Sequence, residues 1–82
     1  MSEIDKIRAA LDSSPKLHKP CTYEVALHIS KKNRTIFEHY RYVRATSERR
    51  AKLAALLVDR TVFGYQKTFA GSAKPLAHGA NF

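Results

Sequence analysis

Arginine and aromatic side chains interleave through Arg34, Phe37, His39, Tyr40, Arg41, Tyr42 and Arg44. Guanidinium groups neutralise phosphates, and aromatic faces stack on unpaired bases. The run therefore carries the chemistry of contact with nucleic acid. It lies inside a wider basic stretch of Lys31, Lys32, Arg34, Arg41, Arg44, Arg49, Arg50 and Lys52, opposed only by Glu38 and Glu48. Most of the net charge of +8, left by 15 Lys+Arg against 7 Asp+Glu over 82 residues, falls there. Positive charge focused in this way concentrates anions and speeds their encounter. Those eight cations are the expected phosphate contacts, and His39, Tyr40 and Tyr42 are the expected stacking residues. The competing use of Phe37, Tyr40 and Tyr42 is burial, because aromatics contribute large apolar area to a core. The competing use of the charge is solubility.

Other chemistry is harder to assemble. His18, His28, His39 and His78 show no tight metal spacing, and His18 with Cys21 supplies at most half of a zinc site. No metal or other cofactor is expected. Cys21 has His18 nearby but no visible orienting group for nucleophilic work. Glu24 and Glu38 could face one another across a hairpin, and with basic neighbours they read as ion-pair partners. Gly64, Gly71 and Gly79 are too scattered for a phosphate loop. With these roles missing, the chain does not read as an enzyme. A lone cysteine forms no internal disulfide. The acidic start Met1-Ser2-Glu3-Ile4-Asp5 is unlike a secretory signal. No apolar run reaches the ~20 residues of a membrane span. The expectation is a cytoplasmic protein without membrane contact.

The elements that must position these groups follow from periodicity. Ser2 to Leu11 reads as a helix, with Ile4, Ile7, Ala10 and Leu11 on one face and Glu3 and Asp5 in the first turn. Asp12-Ser13-Ser14-Pro15 stops it, since the residue before proline leaves the helical region. Thr22 to Ser30 alternates Tyr23, Val25, Leu27 and Ile29 with Glu24, Ala26, His28 and Ser30, which is the pattern of a half-buried strand. Lys31-Lys32-Asn33-Arg34 suits a hairpin turn. Residues 35–45 are open to either period. Their Thr, Ile, Phe, Tyr and Val content favours a strand, with a bulge near Glu38 and His39 to bring Phe37, Tyr40 and Tyr42 to one side. Ser47 then caps a helix, with Leu53, Leu56, Leu57 and Arg60 on its packing face. Thr61 to Phe69 is a possible third strand, and the segment from Ala70 onward reads as a flexible tail.

The expected fold is a small two-layer α+β domain over residues 1–69: an N-terminal helix, a basic antiparallel hairpin, a packed helix and a possible third strand. A tail of residues 70–82 follows. Ser47-Glu48-Arg49-Arg50-Ala51-Lys52-Leu53-Ala54-Ala55, placed after a strand, resembles the last helix of double-stranded RNA-binding domains. The resemblance spans about residues 20–58. That family has more strands between its helices than this chain has room for, and its glycines before the last helix are missing. The function expected from the residues is non-catalytic binding of RNA or DNA through the basic hairpin and the following helix N-terminus, which attracts phosphate. The rival is a protein-interaction module, such as a phage-type inhibitor or adaptor whose charge occupies an acidic surface of a host protein. An open sheet edge would also allow a homodimer.

Overall fold

The computed structural model of the chain describes residues 2–31, 34–64 and 68–76. Helix α1 spans Glu3–Ser13. Ser2 caps it by accepting a hydrogen bond from the Asp5 amide at 3.2 Å, and Glu3 and Asp5 lie where the helix dipole favours negative charge. The helix ends at Ser14, held extended ahead of Pro15. No basic residue stands in its last turn.

Strands β1 (Cys21–Lys31) and β2 (Arg34–Ala45) form a long antiparallel hairpin, paired from Cys21↔Ala45 to Lys31↔Arg34. The tip residues Lys32 and Asn33 lie outside the described residues. Residues 35–45 are thus strand, as their composition indicates. The register shifts between Ile29↔Phe37 and Ser30↔Thr35, so the extra residue of the bulge is Ile36 rather than one near Glu38 and His39. Beyond it β2 alternates without interruption. Phe37 therefore shares a face with His39 and Arg41, while Tyr40 and Tyr42 take the other.

Helix α2 covers Glu48–Thr61, with the Ser47 hydroxyl accepting from the Arg50 amide at 3.1 Å. Its buried positions are Ala51, Ala55, Asp59 and Arg60, whereas Leu53, Leu56 and Leu57 are half-buried. The sheet-facing stripe is therefore the small-residue row Ala51–Ala55–Asp59, spaced four apart, and not the leucine row. Gly64, at φ +70°, takes the chain out of the helix in a conformation that a side chain would strain.

Strand β3 spans Thr68–Pro75, beginning later than the expected third strand. Thr61 belongs to α2, and residues 70–75, expected in the tail, belong to the sheet. Gly71 and Pro75, residues disfavoured inside strands, both have a place in this one. A bulge between Val25↔Ala73 and Leu27↔Ala70 lies around Gly71, and Pro75 stands at the end of an edge strand, where its missing N–H is tolerated. Residues 77–82 lie outside the described residues.

The strand order is β2-β1-β3. Since β1 is antiparallel to both neighbours, β2 and β3 run parallel, and α2 is the crossover between them. The core sits between the sheet and α2: Tyr23, Val25, Leu27, Ala45, Ala51, Ala55 and Ala73, with Cys21, Val43, Leu56 and Ala70 against it. Val25 and Leu27 are fully buried, and each contributes about 1.5–3 kcal/mol through its removal from water. Helix α1 packs on α2. The result is a small two-layer α+β domain in which, among the described residues, one face of the sheet carries no helix.

Candidate functional site

Strand pairing sets the uncovered face of the sheet in ranks. Tyr42, Glu24 and Lys74 form one rank across β2, β1 and β3. Tyr40 pairs with Ala26 in the next, and Glu38, His28 and Phe69 form the third. Arg44, opposite Thr22, stands beyond the first rank. Three large aromatic side chains stay exposed here: Tyr40 at 52%, Tyr42 at 63% and Phe69 at 45%. The His28 ring stacks on Phe69, with centroids 5.2 Å apart and planes 23° apart. Gly71 makes this stack possible, because a Cβ there would lie 2.6 Å from His28 Nε2. The centre of the face is kept low by Ala26 and Gly71.

Carboxylates hold the tyrosines in place. Tyr40 donates to Glu38 Oε1 at 2.7 Å, and Tyr42 donates to Glu24 Oε2 at 3.2 Å. Each phenol is pushed above its ordinary value of 10.0, chiefly by that hydrogen bond and then by the charge of the same carboxylate. His28 Nδ1 lies 3.8 Å from Glu38 Oε2. The face therefore offers rings with fixed orientation, two carboxylates as acceptors, and cations at the Arg44 and Lys74 end.

The expected stacking residues divide. Tyr40 and Tyr42 stand on this open face. His39 does not, because alternation past the bulge turns it toward α2, where its Nε2 donates to Asp59 Oδ2 at 2.8 Å. Arg41 turns the same way. Its Nε donates to Asp59 Oδ1 at 2.8 Å, and its guanidinium lies 4.0 Å from the Phe63 ring centroid. Asp59 is fully buried, and a carboxylate withdrawn from water requires such partners.

The expected phosphate contacts divide as well. Arg50 Nη1 donates to the Leu11 and Ser14 carbonyls at 2.7 and 2.8 Å, supplying the cation that the last turn of α1 lacks. Arg49 Nε donates to Ser14 Oγ at 3.1 Å. Lys52 pairs with Glu48 one turn back at 3.4 Å. Arg44 Nη2 reaches the Pro20 carbonyl at 3.3 Å and remains exposed. Lys31 and Arg34 pair at the hairpin tip beside Lys32, which lies outside the described residues. The five of these cations whose side chains the structure describes, Arg41, Arg44, Arg49, Arg50 and Lys52, do not form one patch. Arg44 and Arg50 do come together, in the wall of a cavity of about 220 Å³ at the C-terminal end of α1.

Sequence reasoning missed Phe69, His28 and Lys74 as members of this face. Phe69 lies in the expected third strand, but its pairing with His28 depends on the crossover. Arg60, expected on the packing face of α2, does more than pack. It is buried, and it joins three elements through Glu3 Oε1 at 2.6 Å and the Thr68 carbonyl at 2.9 Å. Both ring nitrogens of His18 have protein partners. His18 Nδ1 donates to the Lys19 carbonyl at 2.7 Å, so in the neutral ring Nε2 accepts from the Tyr23 hydroxyl at 2.6 Å. Burial pushes the Tyr23 phenol up, with Cys21 and Glu48 adding to the effect. Among the described residues no three His, Cys, Asp or Glu side chains gather to hold a metal, and no helix is long and apolar enough to cross a membrane. No family model matches the chain, and no curated protein or solved structure matches it.

Proposed function

We propose that the chain binds single-stranded nucleic acid, without catalysis, on the open face of its sheet. The observation that carries this reading is the exposed ring set Tyr40, Tyr42 and Phe69, with His28 stacked beside it, on a helix-free face of a chain of net charge +8. Unpaired bases stack on such rings irrespective of sequence. Glu24 and Glu38 orient the tyrosines and retain acceptor capacity for base amino groups. Arg44 and Lys74 at one end, and Lys31 and Arg34 at the hairpin tip, serve the phosphates. Arg41 and Lys52 support the fold.

The test is fluorescence anisotropy with labelled single-stranded RNA, single-stranded DNA and the matching duplexes across a salt series. The expected result is preference for single strands, and a loss of about tenfold or more on Tyr42→Ala or Phe69→Ala. Arg44→Gln is expected to reduce the salt slope by about one phosphate contact. Equal binding to duplexes, indifferent to Tyr42 and Phe69, would defeat the reading. A protein partner is the second reading, favoured by the two carboxylates among these rings, which oppose phosphate. It predicts dependence on the aromatics together with little binding to any polyanion.

A further inference from the structure

The cavity at the end of α1 is lined by Leu11, Lys16, Pro20, Arg44, Ala45, Thr46, Arg50 and Ala54. Three cations converge on it, and no carboxylate lines it. Three cations elsewhere in the described structure meet carboxylates: Arg41 meets Asp59, Arg60 meets Glu3, and Lys52 meets Glu48. Lys16, Arg44 and Arg50 have no such ion pair among the described residues. The protein partners of Arg44 and Arg50 are neutral carbonyls, those of Pro20, Leu11 and Ser14. Like charges repel, so gathering three around one hollow is unfavourable unless an anion enters it. The Thr46 hydroxyl in the same wall is buried and has no hydrogen-bond partner among the described residues.

The site is also held in shape. Leu17 and His18 amides both donate to the Thr46 carbonyl, at 2.9 and 3.1 Å, fixing the 15–20 loop against the start of α2. Arg50 is anchored by two carbonyls before any ligand arrives, so little side-chain entropy remains to be lost.

We infer that this cavity is a binding site for a phosphate monoester. Guanidinium forks match phosphate geometry, and the combined charge suits a dianion. At about 220 Å³ the cavity falls below the ~300 Å³ of sites that enclose whole small-molecule ligands, so it receives an end group. The apolar walls of Leu11, Pro20 and Ala54 accept the carbon skeleton of the ester. Arg44 belongs to both this cavity and the end of the aromatic face. The ester is therefore the terminal phosphate of a strand lying on the sheet, an identification that rests on the proposed function, whereas the phosphate chemistry does not.

The test is an amide-resolved NMR titration of the full chain with inorganic phosphate, then with a short oligothymidylate bearing either a 5′-phosphate or a 5′-hydroxyl. Expected are shifts at Leu17, His18 and Thr46 with phosphate, and about tenfold tighter binding of the phosphorylated strand. Lys16→Gln and Arg44→Gln, both of exposed side chains, are each expected to weaken phosphate binding about tenfold. A response to inorganic phosphate without any gain from the 5′-phosphate supports the site and assigns it to a free ester. A response to phosphate with no strand binding supports the site and removes the sheet-face reading. Strand binding that shifts the sheet but leaves the cavity amides still, or silence to phosphate, overturns the inference. So does a phosphate response unchanged when Lys16→Gln and Arg44→Gln are combined.

Discussion

Two arginines three apart on β2 respond oppositely to charge reversal, although the sequence presents them as equals. Arg41→Glu sets a new carboxylate against Asp59, which is fully buried, at a position where Arg41 itself is 26% exposed. Removing one partner of a buried pair costs about 3–5 kcal/mol, and the partial exposure of Arg41 places this case near 3 kcal/mol. A chain of 82 residues has a total stability of about 4–12 kcal/mol. The variant therefore forfeits a quarter to most of it, and its melting temperature falls by about 12–24 °C. Arg44 is exposed and its side-chain hydrogen bond goes to the neutral Pro20 carbonyl, so the melting temperature of Arg44→Glu stays within about 3 °C of the parent. The assay is thermal and urea unfolding followed by circular dichroism on both single variants. An Arg41→Glu protein that melts within about 4 °C of the parent would show that the Asp59 cluster does not hold β2 to α2. The practical result is that binding lost in Arg41→Glu reports unfolding, and only Arg44→Glu reads the interface.

Three further outcomes are expected. Arg50→Met removes both donors to the α1 carbonyls and destabilises by about 2 kcal/mol, with amide exchange accelerating in α1 before the sheet. Gly71→Ala forces the His28 ring off Phe69 and costs about 1–3 kcal/mol, visible as loss of the ring-current shift on His28. The raised phenols of Tyr40 and Tyr42 bind protons more tightly in the folded chain, so their contribution to stability is complete below the unfolded value of about 10 and is lost as pH rises through the folded values. Ring-carbon NMR titration measures those midpoints, and Glu38→Gln brings that of Tyr40 down.

The sequence was legible where a local period decides structure. Alternation from Tyr23 to Ile29 sufficed for β1, Ser47 marked the start of α2, and the β-rich content of residues 35–45 marked β2. It was not legible where a tertiary pair decides. His39 and Arg41 look like surface groups until Asp59, eighteen to twenty residues away, is folded against them. The leucines of α2 look like its buried row, yet the close approach of helix to sheet selects Ala51 and Ala55. Gly71 looks like a tail residue because its purpose is the space that His28 occupies. Lys16, in a proline-flanked loop, carries no local sign that Arg44 and Arg50 converge beside it.

The central position of β1 has a kinetic consequence. Its contacts with β2 are nearly local, whereas Tyr23↔Pro75 must close a loop that contains all of α2. The hairpin is free to form early, and β3 to arrive late and leave first. Along an antiparallel strand, successive residues direct their N–H and C=O groups to alternate sides. The Thr22 carbonyl accepts from Leu76 at 2.9 Å, so even-numbered residues at that end of β1 face β3 and odd-numbered ones face β2. A single strand thus reports on both of its neighbours. When β3 peels away, Glu24 exchanges its amide proton while Tyr23 and Val25 on either side of it stay protected.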